Sequence, residues 1–444
     1  MSLKTFKGGV HPGHHKSATE KKPVVPAKPP AVAIIPLSQH IGAPCEPLVA
    51  VGDEVKVGQK IGDSKGFVSA PVHASVSGKV VKIAQCDSAL GRPVDAVFIE
   101  NDNQDTWHES VRPNPDWENL TPDELKKIVR EAGIVGMGGA TFPTHVKLSP
   151  PADQKIDYVL VNAAECEPYL TADHRAMLER PEDIVCGLKL AMKIVDAPKG
   201  FIGIEDNKPD AIEVMQKAVA GEKDIEVVAL QTKYPQGAEK QLIKVLTGRE
   251  VPSGGLPAAV GCLVQNAGTC IAIADAVRKN LPLIERIVTI TGSGIKEPQN
   301  MLVRVGTPIA EVVEQCGGFT ENIRKVILGG PMMGLAQPGV DNLPVTKGTS
   351  GILCLTDKEV TVEEIRPCIK CAKCVDVCPV SIMPLFIGSS VEQGLYDRAE
   401  SYNAMDCIEC GCCSYICPAK RPLTQWIRMA KGEIAAKRRA AAAK

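Results

Sequence analysis

Near its C-terminal end the chain reads Cys368-Ile-Lys-Cys371-Ala-Lys-Cys374-Val-Asp-Val-Cys378-Pro379 and then Cys407-Ile-Glu-Cys410-Gly-Cys412-Cys413-Ser-Tyr-Ile-Cys417-Pro418. Both stretches follow C-x₂-C-x₂-C-x₃-C-P. Three thiolates at that spacing wrap one face of an iron–sulfur cubane. The fourth, held on a helical turn and stopped by proline, points toward a second cubane. The spacing therefore assigns Cys368, Cys371, Cys374 and Cys417 to one [4Fe–4S] centre, and Cys407, Cys410, Cys413 and Cys378 to another. Structural zinc would need only two C-x₂-C knuckles and leaves the third and fourth cysteines of each run without a purpose. Cys412 is spare and reads as a packed neighbour. Val391 to Met405 and Thr424 to Ala436 lack strand alternation, so residues 360–436 read as an α-helical two-cluster ferredoxin domain. Adjacent clusters make a one-electron wire, and a wire needs terminals.

The rest of the chain must supply one of them. At about 150 residues per domain, 444 residues suit roughly three domains, and 44% hydrophobic content supports real cores. A net charge of −1, with no aromatic-and-basic surface pattern, argues against nucleic acid as the main partner. Of the 17 cysteines, those outside the two runs are scattered singly, which is no disulfide framework. Met1 to Lys7 carries no apolar signal core, so a reducing, cytoplasmic compartment is expected. No stretch approaches the roughly 18 apolar residues of a membrane span. The best candidate, Ala258 to Val277, is broken by Gln265, Asn266 and Asp275. The chain reads as peripheral.

Residues 1–35 form a basic, Pro-rich extended arm with Pro23, Pro26, Pro29 and Pro30. Within it, Gly8-Gly9-Val10-His11-Pro12-Gly13-His14-His15 invites a metal reading, yet no acid or thiol sits at ligand spacing, which favours a turn or docking arm. Residues 36–105 alternate apolar and polar positions between glycine turns, as in Pro47 to Gly62 and Val76 to Ile83, and predict a compact β unit resembling the barrel-sandwich hybrid of biotinyl and lipoyl carriers. Lys65 falls near their modified position; a solvated turn lysine is the expected state. Thr121-Pro-Asp-Glu124 is a capping start for a helix over Asp123 to Ala132.

Next comes Gly136-Met-Gly138-Gly139-Ala-Thr-Phe142-Pro143-Thr144, with Lys147. Its spacing is not the dinucleotide fingerprint, but residues without Cβ let backbone amides approach a flat or phosphorylated ligand. A strand over Tyr158 to Val161 ends in Asn162-Ala-Ala-Glu165-Cys166-Glu167-Pro168, at the strand end where open α/β sheets bind ligands. Helices over Glu182–Ile194, Pro209–Val219 and Ala238–Leu246 alternate with strands over Gly200–Ile204, Ile225–Leu230 and Leu263–Asn266, the rhythm of a wound α/β domain over 120–280. Residues 286–335 read strand, glycine turn, strand, short helix and glycine stop, a small β-grasp. Residues 437–444 form a basic tail.

The glycine segment, Asn162 to Pro168, Tyr234-Pro-Gln-Gly237-Ala-Glu239-Lys240 and Val264-Gln265-Asn266-Ala-Gly-Thr269 resemble, in this order, the flavin- and NADH-binding subunit of respiratory complex I. With the hybrid module, a β-grasp of the soluble ligand-binding kind and the two-cluster tail, the whole chain resembles the family of C subunits of Rnf electron-transport complexes. The fold class this implies is multidomain α/β with four modules: a hybrid, a complex-I-like flavin domain, a β-grasp and a helical ferredoxin domain. The resemblance implies FMN held by Gly136, Gly138, Gly139, Lys147, Asn162, Glu165, Gly237, Gln265 and Asn266, with Tyr234 beside them. It implies NAD(H) stacking near Phe142 and meeting Glu167 and Glu239. Met137, Ala238 and Gln265 depart from the complex I pattern.

A flavin bridges two-electron hydride chemistry and one-electron clusters. The resemblance thus implies a subunit on the cytoplasmic face of the membrane, exchanging hydride between FMN and NAD(H) and single electrons with other Rnf subunits. These would include an iron–sulfur donor subunit and ion-carrying membrane subunits, with ferredoxin reached indirectly. Two alternatives stay open on sequence: the cobalamin reductase of propanediol-utilisation compartments, and a cluster relay without an active flavin site.

Overall fold

Glycine turns and alternating apolar residues fold residues 32–101 into two small antiparallel sheets. One runs Val32–Pro36, Val94–Asn101, Gly78–Cys86, Glu54–Val55; the other runs Glu46–Pro47, Lys60–Asp63, Val72–His73. They share a core of Ile35, Ile61, Val72, Val80, Val97 and Ile99, so inward side chains from both sheets meet. The computed structural model describes residues 3–360 and 364–442. Residues 361–363 of the expected ferredoxin segment, Met1–Ser2 of the arm and residues 443–444 of the basic tail lie outside them.

The central domain is a four-stranded parallel sheet in the order Ile225–Leu230, Lys199–Glu205, Tyr158–Asn162, Cys262–Asn266. Apolar residues on both faces of the strands explain its two covering layers. Val159, Val161, Ile202 and Leu263 pack under helices Pro181–Val195 and Ala267–Lys279. Leu160, Val228, Leu230 and Val264 pack under Glu239–Thr247 and the arm residue Phe6. The helix Pro122–Glu131 starts at Thr121 with the reciprocal capping box that the sequence predicted.

A six-stranded mixed sheet follows, in the order Val24–Pro26, Gln299–Arg304, Glu285–Thr291, Gly351–Thr356, Ile323–Leu328, Leu335–Gln337, with helix Ile309–Gln315 in its core. It reaches beyond the 286–335 stretch. Gly351–Thr356 pairs in its middle, and Val24–Pro26 pairs in parallel along Gln299–Arg304. An edge strand with unpaired amides and carbonyls is an aggregation liability, and here the arm covers one.

The arm is therefore not a free extension. Lys4 bridges Leu230, Val10 pairs with Tyr234, and Val32–Pro36 enters the hybrid. The C-terminal domain is all-helical in its regular elements, from Lys373–Asp376 to the long Leu423–Ala442. The helical character expected around Val391–Met405 takes the form of Pro384–Glu392, Tyr396–Ser401 and a 3₁₀ turn at Ala404–Asp406. Gly394, at φ +69°, sits in the first break. In the basic tail, Lys437 and Arg438 pair with Asp397 and Glu400. Among the described residues no helix is long and apolar enough to cross a membrane.

Candidate functional site

The parallel sheet reverses its winding between Tyr158–Asn162 and Cys262–Asn266, the switch point where α/β sheets open a crevice at their carboxyl ends. The glycine loop lies at this end. The Gly136 amide closes it onto Phe142 O (2.9 Å) and the Met137 amide onto Thr269 Oγ1 (2.9 Å). The amides of Gly138 and Gly139 donate to no protein acceptor among the described residues. Gly139 has φ +121°, with open space where a Cβ would stand. Free backbone amides beside open space are what a phosphate or a flat ring requires.

Around the loop, Lys147 donates to Glu239 Oε1 (3.0 Å) and to Val264 O (2.9 Å), with both side chains of the ion pair half-exposed. Asn162 Nδ2 donates to Gly237 O (2.7 Å), bringing together two residues 75 positions apart. Asn266 caps helix Ala267–Lys279 and donates to Asp173 Oδ2 (2.7 Å), and Gly138 packs close to its Cβ. Gln265 is buried, and its amide nitrogen has no partner within the protein. Unbonded loop amides, with an orphaned buried donor one residue from the Asn266 that Gly138 approaches, fit a ligand rich in acceptors, such as a flavin mononucleotide.

The two acids of Asn162 to Pro168 are both engaged. Glu165 accepts from the amides of Asp173 (2.6 Å) and His174 (3.2 Å), at the start of helix Ala172–Glu179. Burial pushes its carboxyl up, against the pull of nearby Lys16. Glu167 accepts from the amides of Met332 (3.1 Å) and Met333 (2.8 Å) of the neighbouring sheet domain, and burial pushes it up to about 7. Phe142 is half-buried on the loop. Tyr234 is buried and donates its hydroxyl to Cys410 O (2.8 Å), which ties this domain to the cysteine domain.

Cys368, Cys371, Cys374 and Cys417 line one cavity; Cys378, Cys407, Cys410 and Cys413 line a second, where the spare Cys412 joins them. Among the described residues no three Cys, His, Asp or Glu side chains converge on a single ion position. The thiols of each set border a cavity, which leaves room for the cubane that their spacing predicts. Covering is unequal. Cys368 and Cys371 are exposed, whereas Cys378, Cys410 and Cys413 are buried. Cys412 is fully buried and packs with Val10, Tyr234 and Cys410.

Several cations at this end of the sheet were not singled out by sequence. Buried Lys16 donates to the carbonyls of Glu165 (2.9 Å), Glu167 (2.9 Å) and Leu170 (2.5 Å), pinning the acidic loop from the arm. Lys208 holds Ala164 O (2.7 Å). Arg286 donates to Lys347 O and Met137 O behind the glycine loop, and burial brings it down to about 10. Lys347 holds Pro71 O (2.6 Å) and Gly133 O (2.7 Å). Each has a backbone carbonyl acceptor far along the chain, which no local pattern marks. The histidines of the arm dock: His15 stacks on Tyr169 (4.7 Å), and His14 Nδ1 meets Asn207 Nδ2 (3.0 Å). Lys65 is exposed on a turn held by Arg130.

Four sequence families match in order: the RnfC barrel sandwich hybrid domain at 4–104, the Nuo51 FMN-binding domain at 129–275, the SLBB domain at 287–336 and a 4Fe-4S dicluster domain at 361–418. The chain is 55% identical over 435 residues to the C subunit of the Na⁺-translocating ferredoxin:NAD⁺ oxidoreductase complex of Acetobacterium woodii, covering 98% of both chains. It is 53% identical to the C subunit of the proton-translocating counterpart in Clostridium ljungdahlii, covering 97% of this chain and 94% of that one. A third relative, the C subunit of an ion-translocating oxidoreductase complex of Rhodobacter capsulatus, is 42% identical over 97% of this chain and 83% of its own. An NAD⁺-reducing [NiFe]-hydrogenase structure superposes with a TM-score of 0.50 at 20% identity, covering 66% of this chain and 55% of that one, a likeness of fold.

Proposed function

Because the chain belongs to the family of C subunits of ion-translocating ferredoxin:NAD⁺ oxidoreductase complexes, we propose that it exchanges hydride between NAD(H) and FMN and passes single electrons over two [4Fe–4S] clusters to or from partner subunits. FMN, when bound, supplies the conversion between electron pairs and single electrons. In this reading the loop amides of Gly138 and Gly139, with Lys147, Asn162, Gly237, Gln265 and Asn266, hold the flavin. NAD(H) lies over Phe142, with Glu167 and Glu239 beside it. No side chain is assigned a proton-transfer role, since hydride transfer requires none.

The observation that carries the reading is the seam between the cavity lined by Cys410 and the flavin domain. Tyr234, on the loop that leads to Gly237, bonds Cys410, and both pack with Val10 and Cys412. This supports an order of carriers: nicotinamide, flavin, the inner cluster on Cys378, Cys407, Cys410 and Cys413, then the outer cluster on Cys368, Cys371, Cys374 and Cys417. The exposed outer end would meet an iron–sulfur partner subunit, with ferredoxin reached indirectly. Membrane subunits would carry the ion, and this chain would sit on the cytoplasmic face.

Anaerobic purification followed by NADH titration tests the proposal. Bound FMN should bleach first, and the broad cluster absorbance should follow. Material holding iron but neither flavin nor NADH-dependent bleaching would make the chain a simple relay and end this reading.

A further inference from the structure

The glycine-rich motif of the arm lies between the two redox domains. Gly9 donates its amide to Val377 O (2.8 Å) of the cysteine domain. The next residue, Val10, donates to Tyr234 O (2.8 Å) of the flavin domain and accepts from the Tyr234 amide (3.0 Å). Consecutive residues thus bond in opposite directions, to the peptide beside Cys378 and to the loop that leads to Gly237. Both glycines have left-handed backbones, at φ +82° and +79°. A Cβ on Gly8 would stand 2.9 Å from Cys378 O, and one on Gly9 would stand 2.6 Å from Tyr234 O. Those obstacles are backbone, which no rotamer change relieves. Phe6 and Val10 anchor the segment on either side, Phe6 in the sheet core and Val10 against Tyr234, Cys410 and Cys412.

We infer that Phe6–Val10 is a strap whose Gly8-Gly9 backbone sets the separation between the flavin pocket and the inner cluster, making these glycines positioning residues for electron transfer. The inference rests on the proposed function for what passes across the seam. Its geometry does not depend on that function. Other contacts between the domains, Gln241 Nε2 to Pro379 O (2.8 Å) and Ser253 Oγ to Asp406 Oδ1 (2.6 Å), keep the domains attached when the strap is altered. Loss of the strap therefore loosens the seam without detaching the clusters.

The test uses the full chain, loaded anaerobically, as Gly9→Ala and as a variant lacking residues 3–9, with Lys7→Ala at an exposed position as control. After rapid mixing with NADH, flavin bleaching should proceed at the parental rate, and cluster bleaching should slow by about tenfold or more. Hydrogen exchange on the loaded chain should rise at 231–235, 375–380 and 407–413 and stay unchanged in Gly78–Cys86 of the hybrid, which shares no core with the strap. Parental cluster bleaching in both variants overturns the strap. So does an equal fall in both phases, which marks general loss of structure. If NADH fails to bleach flavin even in the parent, the proposed function falls. The exchange data then decide the strap alone, and unchanged exchange in Gly9→Ala rejects it.

Discussion

Lys347 is an ammonium with no carboxylate bonded to it among the described residues, held between Pro71 O of the hybrid and Gly133 O at the entry to the glycine loop. Burial brings its pKa down to about 7 from 10.5. The native chain releases this proton near 7, whereas the unfolded chain keeps it to 10.5. Between those values the unfolded state binds more protons, so this group makes stability rise with pH. Below that window its burial cost is full. In Lys347→Met this rise should disappear, so the gap in melting temperature between parent and variant should drift in the parent's favour from pH 7 to pH 10, as calorimetry can follow. Nothing in the sequence near Lys347 announces this role. The cysteine runs and the glycine cluster stand out in the sequence because their patterns are local in spacing. Glu165 shows the limit of that logic: the acid expected at a flavin bonds the amides of Asp173 and His174, and only the fold decides which amides it meets.

At the scale of elements, start signals carried furthest. Thr121 Oγ1 accepts from the Glu124 amide (3.4 Å), and Glu124 Oε2 accepts from the Thr121 amide (2.7 Å), closing the box that S/T-x-x-E predicts. Helix Pro122–Glu131 buries Leu125 and Val129 in the flavin-domain core, so the cap acts on a tertiary contact as well as on a helix end. Thr121→Ala should cost about 1 kcal/mol in denaturant unfolding with the m-value unchanged. The parallel strands were legible to within a residue or two, since runs buried on both faces are continuous and apolar. The pairing of Val24–Pro26 with Gln299–Arg304 was not, because a proline-rich segment carries no sign of a distant edge. The division of Val391–Met405 turns on Gly394, which composition alone leaves ambiguous between a tolerated helical glycine and a break.

Across the whole molecule, the arm joins four modules into one path: Lys4 to the parallel sheet, Gly9 to the cysteine domain, Val24–Pro26 to the mixed sheet and Val32–Pro36 to the hybrid. Module identities could be read in order from sequence; their relative placement could not, since it depends on contacts between segments hundreds of residues apart. That placement makes the cavities inequivalent, and two serine variants should separate them. Cys371→Ser should lose the outer cluster while NADH still reduces flavin and the inner one. Cys410→Ser should leave flavin reduction intact and strand the outer cluster in its oxidised form. Electron paramagnetic resonance of NADH-reduced samples reads both outcomes, and equal loss of both cluster signals in Cys371→Ser would contradict the proposed order.

The bare flank at Cys368 and Cys371 carries a cost in air. On the proposed reading, dioxygen and chelators would reach Cys368 and Cys371 without any opening of the fold, while Cys374, Cys378, Cys410 and Cys413 lie behind side chains. Decay on the bench should run from the outside inward, leaving tinted protein that still consumes NADH yet has lost its exit. Assays with soluble dyes would score such a preparation as healthy, and only a protein acceptor would reveal the damage.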